Sequence, residues 1–355
     1  MENAPSESLL SPAGPKGKGR AAASDVAQLA GVSTATVSRA LNHPSQVDAR
    51  TRERVLNAAA KLRYVPHGAA RSMRSQRSRM IGAIVPSFDY ALYARTTSAL
   101  QRRLDERGYS LVLAEHHYDL NAEFRIATKL IQHGVDALVF VGLDHQPALF
   151  SQLEDFERPY VLTWGVDPMH RHPSIGFDNQ AATYSIARHL LALQHRDLGL
   201  LSAPVEGNDR ARTRGEGLRL ALQEQGLKIR DECIQYAPIS LGAAKEAMGR
   251  LLALRQRPTA VVATNDVIAV GAMLACREAG VRIPEDISIT GVDNTDLGAT
   301  QTPGLTSVRT PIIEIGTAAA DQLISRLEGL PCELFQVLPT EIVHRQSTGP
   351  VSPMD

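Results

Sequence analysis

Arg39 follows Thr34 and Ala35 by one helical turn and a little more in the segment STATVSRALN. A guanidinium offers parallel N–H donors matched to the O6 and N7 acceptors of guanine, and a short threonine or alanine side chain fits against a thymine methyl. On a helix whose first turn enters a major groove, these three positions could read base edges. The competing reading of Arg39 is a solvated surface arginine.

The elements that must present these side chains are short helices between Ser24 and Tyr64. Val26, Ala27, Leu29 and Ala30 recur at helical spacing before Gly31 interrupts. Ser33 is suited to cap a second helix bearing Val37, Ala40 and Leu41, which Asn42, His43 and Pro44 end. Asp48 is suited to cap a third, with Val55, Leu56, Ala59 and Leu62. Three such helices around one small core, with a glycine turn between the first two, form a helix-turn-helix pattern.

Charge is segregated along the chain although it sums to zero over 355 residues. Residues 20–79 hold eleven Lys and Arg against three acids, and residues 80–355 hold 25 basic against 33 acidic groups. A basic head on an acidic body fits a head that meets a polyanion; the alternative, that arginine-rich helices merely solvate a surface, accounts less well for the confinement.

Beyond Met80 apolar runs (IGAIV, SLVLA, ALVFV, YVLTW, LGLLS, TAVVAT, ISITGV) alternate with amphipathic helices. Continuous apolar strands between helices indicate parallel sheets covered on both faces. The stretch is long enough for two similar lobes, divided near IGFDN, with a ligand cleft at the carboxyl ends of the strands.

Several classes are disfavoured. There is no nucleophile elbow, phosphate loop, HExxH or dinucleotide fingerprint, which argues against an enzyme. Cys233, Cys276 and Cys332 are far apart, and His116 and His117, adjacent on a strand, face opposite sides, so neither set suggests a metal site. No cofactor is expected. The first 20 residues, rich in Pro, Gly and Ser, read as a disordered tail without a secretory signal, and no apolar run approaches a membrane span. The expectation is a cytoplasmic protein.

At SDVAQLAGVSTATVSRALN, continuing through TRERVLNAAAKLRYVPH, RPTAVVATNDVIAVGAM, GVRIPEDISITGVDN and LTSVRTP, the chain resembles the lactose-repressor/galactose-repressor (LacI/GalR) family of bacterial regulators over residues 22–347. The resemblance implies an all-α helix-turn-helix head and an α/β two-lobed, periplasmic-binding-protein-like body with parallel sheets. The expected divisions are a tail (1–20), a DNA-binding domain (21–66), a hinge or linker (67–79), an effector-binding and dimerisation body (80–347) and a C-terminal tail (348–355). It further implies a transcriptional regulator, a repressor, that binds a pseudo-palindromic double-stranded DNA operator as a homodimer and responds to a small-molecule effector.

By the same resemblance Ser33, Thr36, Asn42, Thr51 and Tyr64 match positions that contact phosphates or frame the head, although Ser33 also serves as a helix cap. Ala22 departs from the family's usual threonine, forgoing about 1 kcal/mol of capping and predicting a frayed first turn. AARSM matches a hinge that folds on DNA, placing Ala70 and Met73 at the minor groove, with Met73 where relatives carry leucine as a wedge. Met73 as part of the body's core is the alternative.

In the body, resemblance assigns the cleft to Tyr93, Trp164, Asp178, Asn208, Arg210, Arg214, Asn265 and Asp293. Such a set suits a polyol, with carboxylate and guanidinium planes about adjacent hydroxyls and an aromatic face on a sugar ring. Trp164, the single tryptophan, reads equally as core. Arg210 adds a second cation, as a sugar acid or sugar phosphate would use, or else lies on the surface. The chain stops at HRQSTGPVSPMD without the leucine-heptad helix of the family's tetramers, so a dimer is expected. A protein co-regulator in place of the small effector, and a solute-binding module, remain the alternative readings.

Overall fold

The computed structural model describes residues 21–42, 44–65 and 77–351 and divides the chain into two units, Met1–Gln76 and Arg77–Asp355. The first carries α1 (Ala23–Ala30), α2 (Thr34–Asn42), a 3-10 turn (Pro44–Gln46) and α3 (Ala49–Lys61). Val26, Ala30, Val37, Ala40, Val55 and Ala59 form its core, flanked by Leu62 and Tyr64. Leu29 and Leu56, which the helical spacing would have placed among them, are instead 48% and 43% exposed.

The local chemistry explains the helix ends. Gly31 takes the left-handed conformation (φ 64°), returning its N–H to Ala27 and Gln28 as α1 stops. From α3, the Arg54 guanidinium donates to the Ala30 carbonyl at 2.6 and 3.1 Å, satisfying a helix end that would otherwise lack donors. Ala22 supplies no side-chain cap, but Asp25 accepts the Ala22 N–H at 2.8 Å. Half of a capping box therefore survives, and the first turn is formed from Ala23.

The second unit contains two six-stranded sheets, the two-lobed α/β body. In the first lobe β1 (Met80–Val85), β2 (Ser110–Glu115), β3 (Ala137–Val141), β4 (Tyr160–Thr163), β5 (Ser174–Gly176) and β11 (Phe335–Val337) lie in the order β2-β1-β3-β4-β5-β11. In the second, β6 (Leu198–Ser202), β7 (Ile234–Tyr236), β8 (Ala260–Ala263), β9 (Ser288–Asp293), β10 (Thr306–Arg309) and β12 (Glu341–Val343) lie in the order β7-β6-β8-β9-β10-β12. All pairings are parallel except β10 with β12, which places Ser307 opposite Val343. The central strands β3, β4 and β8 are buried throughout, as their unbroken apolar runs require, whereas the edge strand β2 is only half-buried.

Helices α4 (Ala91–Glu106), α5 (Leu120–Gln132), α6 (Pro147–Asp155) and α12 (Ile312–Glu328) cover the first sheet. Helices α7 (Asn179–Ala192), α8 (Asp209–Gln223), α9 (Leu241–Leu252), α10 (Asp266–Glu278) and the short α11 (Asp296–Ala299) belong with the second. The chain crosses between lobes after β5, after β10 and between β11 and β12, and one apolar cluster runs from Val85 and Trp164 through Phe177 to Ile186 and Val292. The lobes therefore share a floor.

Hydrogen bonds of the body extend to residues before 80 and after 347. Ser78 and Arg79 donate their N–H groups to the Asp136 carboxylate at 3.0 and 2.7 Å, so the end of the expected linker is anchored in the body. At the other end Gly349 bonds Ser288 and His195, and the Val351 N–H reaches the Leu193 carbonyl at 3.2 Å, drawing the start of the expected tail into the second lobe.

Candidate functional sites

In the first unit, Thr34, Ala35 and Arg39 are exposed on α2, with Ala35 and Arg39 spaced to share a face. Ser33 is the helix cap, its Oγ accepting the Thr36 N–H at 3.1 Å and lying 3.0 Å from the Thr36 hydroxyl. Thr51 donates its N–H to Asp48 at 2.9 Å and is half-buried, and half-buried Tyr64 packs against the core. The Tyr64 side chain is thus engaged within the head, while Thr34, Ala35 and Arg39, the three expected to read bases, are exposed. The side chain of Asn42, together with Ala70 and Met73, lies outside the described residues.

The body holds a cavity of about 320 Å³, its open mouth included, between the carboxyl ends of the strands of the two lobes. Six of the eight residues expected there line it: Trp164 from just past a strand end, Asn208 and Asn265 from helix caps, and Tyr93, Arg210 and Arg214 from within helices. Asp293 stands behind the wall, reached through Tyr90 and Arg214. Asp178 does not line the cavity: it is exposed and caps α7, accepting the Ala181 N–H at 2.8 Å.

Helix starts fix much of this wall. Asn208 caps α8 and Asn265 caps α10, each carbonyl oxygen holding a backbone N–H three residues on, at 3.4 and 2.9 Å. Trp164 directly follows β4 with φ 70°, sparsely populated backbone for a bulky residue, and its carbonyl is held by Asn179 Nδ2 at 2.7 Å. Its ring meets Tyr93 edge to face at 5.1 Å, and its Nε1 has no partner. The side chain thus belongs both to the core and to the cavity wall.

The two arginines differ. Arg214, buried over the Phe177 ring, donates Nε to Asn179 at 2.8 Å and Nη1 to the Thr264 carbonyl at 2.6 Å, and its Nη2 lies 3.5 Å from Asp293. Arg210, which is 5% exposed rather than a surface residue, donates Nη1 to Asp209 at 2.7 Å, and its Nη2 has no hydrogen-bond partner. Burial pushes the Asp293 carboxyl up to about 6 against the opposing charge of Arg214 and the hydrogen bond from Tyr90. Burial, reinforced by Asp293, pushes Asp266 up to about 7. Desolvation likewise raises the Tyr90 and Tyr93 phenols above their ordinary value, so both stay protonated.

Beneath Arg210 is a buried set that sequence reasoning did not identify. His145 faces Glu123 at 2.8 Å through Nδ1 and the Gly142 carbonyl at 3.0 Å through Nε2. Burial opposes a charge on His145, but Glu123 and the carbonyl outweigh it and raise its pKa. Gly142 has φ 97°, and a Cβ there would sit 1.8 Å from Arg210 Nη1. His116 and His117 were expected on a strand but follow the end of β2: His116 is buried near Glu123, while His117, in a turn with φ 52°, has its side chain 71% exposed. Tyr90, Tyr118, Thr264 and Asn179 were also missed. Tyr90 and Tyr118 follow the ends of β1 and β2, a position that the strand-end rule could have flagged.

Residues 24–67 match the description "Bacterial regulatory proteins, lacI family", and residues 187–348 match "Periplasmic binding protein-like domain". The chain is 32% identical over 334 residues to the HTH-type transcriptional regulator DegA of Bacillus subtilis, covering 92% of this chain and 98% of that one. It is equally 32% identical, over 333 residues, to the HTH-type transcriptional repressor PurR of Pectobacterium atrosepticum, covering 92% and 97%. Among solved structures, the lac repressor dimer bound to operator and the anti-inducer ONPF superposes with a TM-score of 0.81 at 29% identity, covering 92% of this chain and 98% of that one. Among the described residues no helix is long and apolar enough to cross a membrane.

Proposed function

Because the chain belongs to the LacI family of bacterial transcriptional regulators and is not an enzyme, we propose that it is a repressor whose hold on a pseudo-palindromic operator is set by a small molecule in the body's cleft. The observation that carries this reading is the pairing, in one chain, of an outward-facing Thr34, Ala35 and Arg39 on α2 with a cleft in the body lined by aromatic rings and polar side chains. Two copies present two such helices to successive major grooves, with Arg39 reading a base and Ser33, Thr36, Asn42, Thr51 and Tyr64 holding phosphates or framing the head. Ala70 and Met73 act at the minor groove between the half-sites.

The effector is of the sugar or sugar-acid class. Tyr93 and Trp164 offer aromatic surface, and Asn208, Arg210, Arg214, Asn265 and Asp293 supply polar groups at or behind the wall, the mixture a hydroxylated ligand needs. The ligand acts on DNA binding only through its different affinities for two arrangements of the body, so whether it releases or strengthens the repressor depends on which arrangement it prefers. The test is a thermal-shift screen of the purified protein with sugars, sugar acids, sugar phosphates and nucleosides, followed by operator binding with and without each hit. A ligand at a hundred times its Kd stabilises by about 2.7 kcal/mol. A hit that leaves operator affinity unchanged overturns the regulatory reading.

A further inference from the structure

Two buried hydrogen-bond donors on the cavity wall lack a partner. Arg214 has its Nε, Nη1 and Nη2 directed at Asn179, Thr264 and Asp293. Arg210 has not: Asp209 takes Nη1, and Nη2 lies buried without a partner. Trp164 Nε1 is a second buried donor without a partner. The Tyr93 and Tyr118 hydroxyls, 3.4 Å apart, stand on the same wall. On the acceptor side, Asp293 receives the Tyr90 hydroxyl on one oxygen and faces Arg214 with the other. A neutral hydroxyl placed against Arg210 and Trp164 gives these donors an oxygen but no negative charge to meet the buried guanidinium. Carboxylate and phosphate oxygens only accept, and a buried guanidinium binds them more strongly than it binds a neutral group.

Resting on the reading that the cleft holds a small effector, we propose that this effector is an organic anion, a hydroxylated ring or chain whose carboxylate or phosphate seats on Arg210 Nη2 and Trp164 Nε1. Arg210 selects for charge, and Arg214 holds the wall against which the remainder of the ligand lies.

The test is calorimetric titration of the full-length protein with matched sets across the common hexose and pentose stereochemistries, each containing the neutral sugar, its sugar acid and its phosphate monoester. One charged member should bind about 10- to 100-fold more tightly than its neutral parent. Arg210→Gln should remove that preference, bringing the affinity for the charged member down to about that for its neutral parent. The double variant Asp209→Asn/Arg210→Gln, which leaves no unpaired buried carboxylate, should do the same and guards against misfolding. Which charged member binds distinguishes carboxylate from phosphate. A neutral parent that binds as tightly as its acid and its phosphate overturns the anion assignment and leaves the effector reading intact. Equal loss of charged and neutral ligands in both variants also overturns it. If no set binds in any form, the sugar-class effector reading fails and this inference fails with it.

Discussion

The Tyr90 hydroxyl donates to the Asp293 carboxylate across 203 positions of sequence, joining the start of α4 in the first lobe to the end of β9 in the second. Both residues are buried, and Asp293 adopts φ 111°, backbone that only surrounding structure can impose. Arg214 approaches the other oxygen of the same carboxylate. Closure of the lobes is therefore written into the wall of the cavity that a ligand must enter.

Tyr90→Phe removes this bond without removing the ring. Loss of a hydrogen bond to a buried charged acceptor should lower the unfolding free energy by about 1.5–3 kcal/mol. Asp293 also loses a partner that holds its pKa down, so the loss should be smaller at pH 5 than at pH 8. Urea denaturation at both pH values measures it. A variant as stable as the parent at pH 8 would show that the bond does not hold the lobes.

Much of the fold was legible because buried parallel strands require continuous apolar runs, and these stand out: β1, β3, β4, β6, β8 and β9 all lie in runs identified from sequence. The strands that were missed, β5, β7, β10, β11 and β12, are three or four residues long and, unlike the equally short β4 and β8, carry no continuous apolar run. The site divides in the same way. Arg210 and Arg214 come together from one helix, a spacing sequence shows directly, whereas Tyr90 meets Asp293 only through the crossing of the lobes. Asp178 illustrates the converse: an acid beside the cleft in sequence whose oxygen the α7 N-terminus has already taken.

For Arg39 the expected effect is on discrimination. Arg39→Ala should weaken operator binding by about 1–3 kcal/mol and relax preference at one base pair of each half-site. Selection of binding sites from a randomised duplex pool, with the parent and the variant in parallel, yields both quantities. Equal weakening on operator and random duplex would assign Arg39 to phosphate contact instead.

At Gly142 a methyl group meets two obstacles. The left-handed φ costs a non-glycine residue about 1–3 kcal/mol, and the Cβ would overlap the Arg210 guanidinium. Gly142→Ala should displace Arg210 and weaken binding of whichever ligand the screen identifies by at least the amount that Arg210→Gln does. Full affinity in Gly142→Ala would mean that the Arg210 position seen here is not the one used by ligand.

Asp266 gives the body a pH dependence opposite to that of an ordinary surface carboxylate. It accepts from the Thr295 N–H at 2.6 Å, the Thr295 hydroxyl at 2.9 Å and Ser307 at 2.5 Å, yet burial and the neighbouring Asp293 raise its pKa from 3.8 to about 7. The folded state therefore holds this proton more tightly than the unfolded chain. Its stabilising contribution is complete below pH 3.8 and is lost as pH rises through about 7. Asp266→Asn has no proton to lose and turns an amide N–H toward groups that themselves donate, costing about 1–3 kcal/mol. The stability gap between parent and variant should be widest near pH 4 and narrow toward pH 7, as read from urea unfolding at several pH values. A gap that stays constant or widens with pH would place the carboxylate, charged, in the folded state throughout.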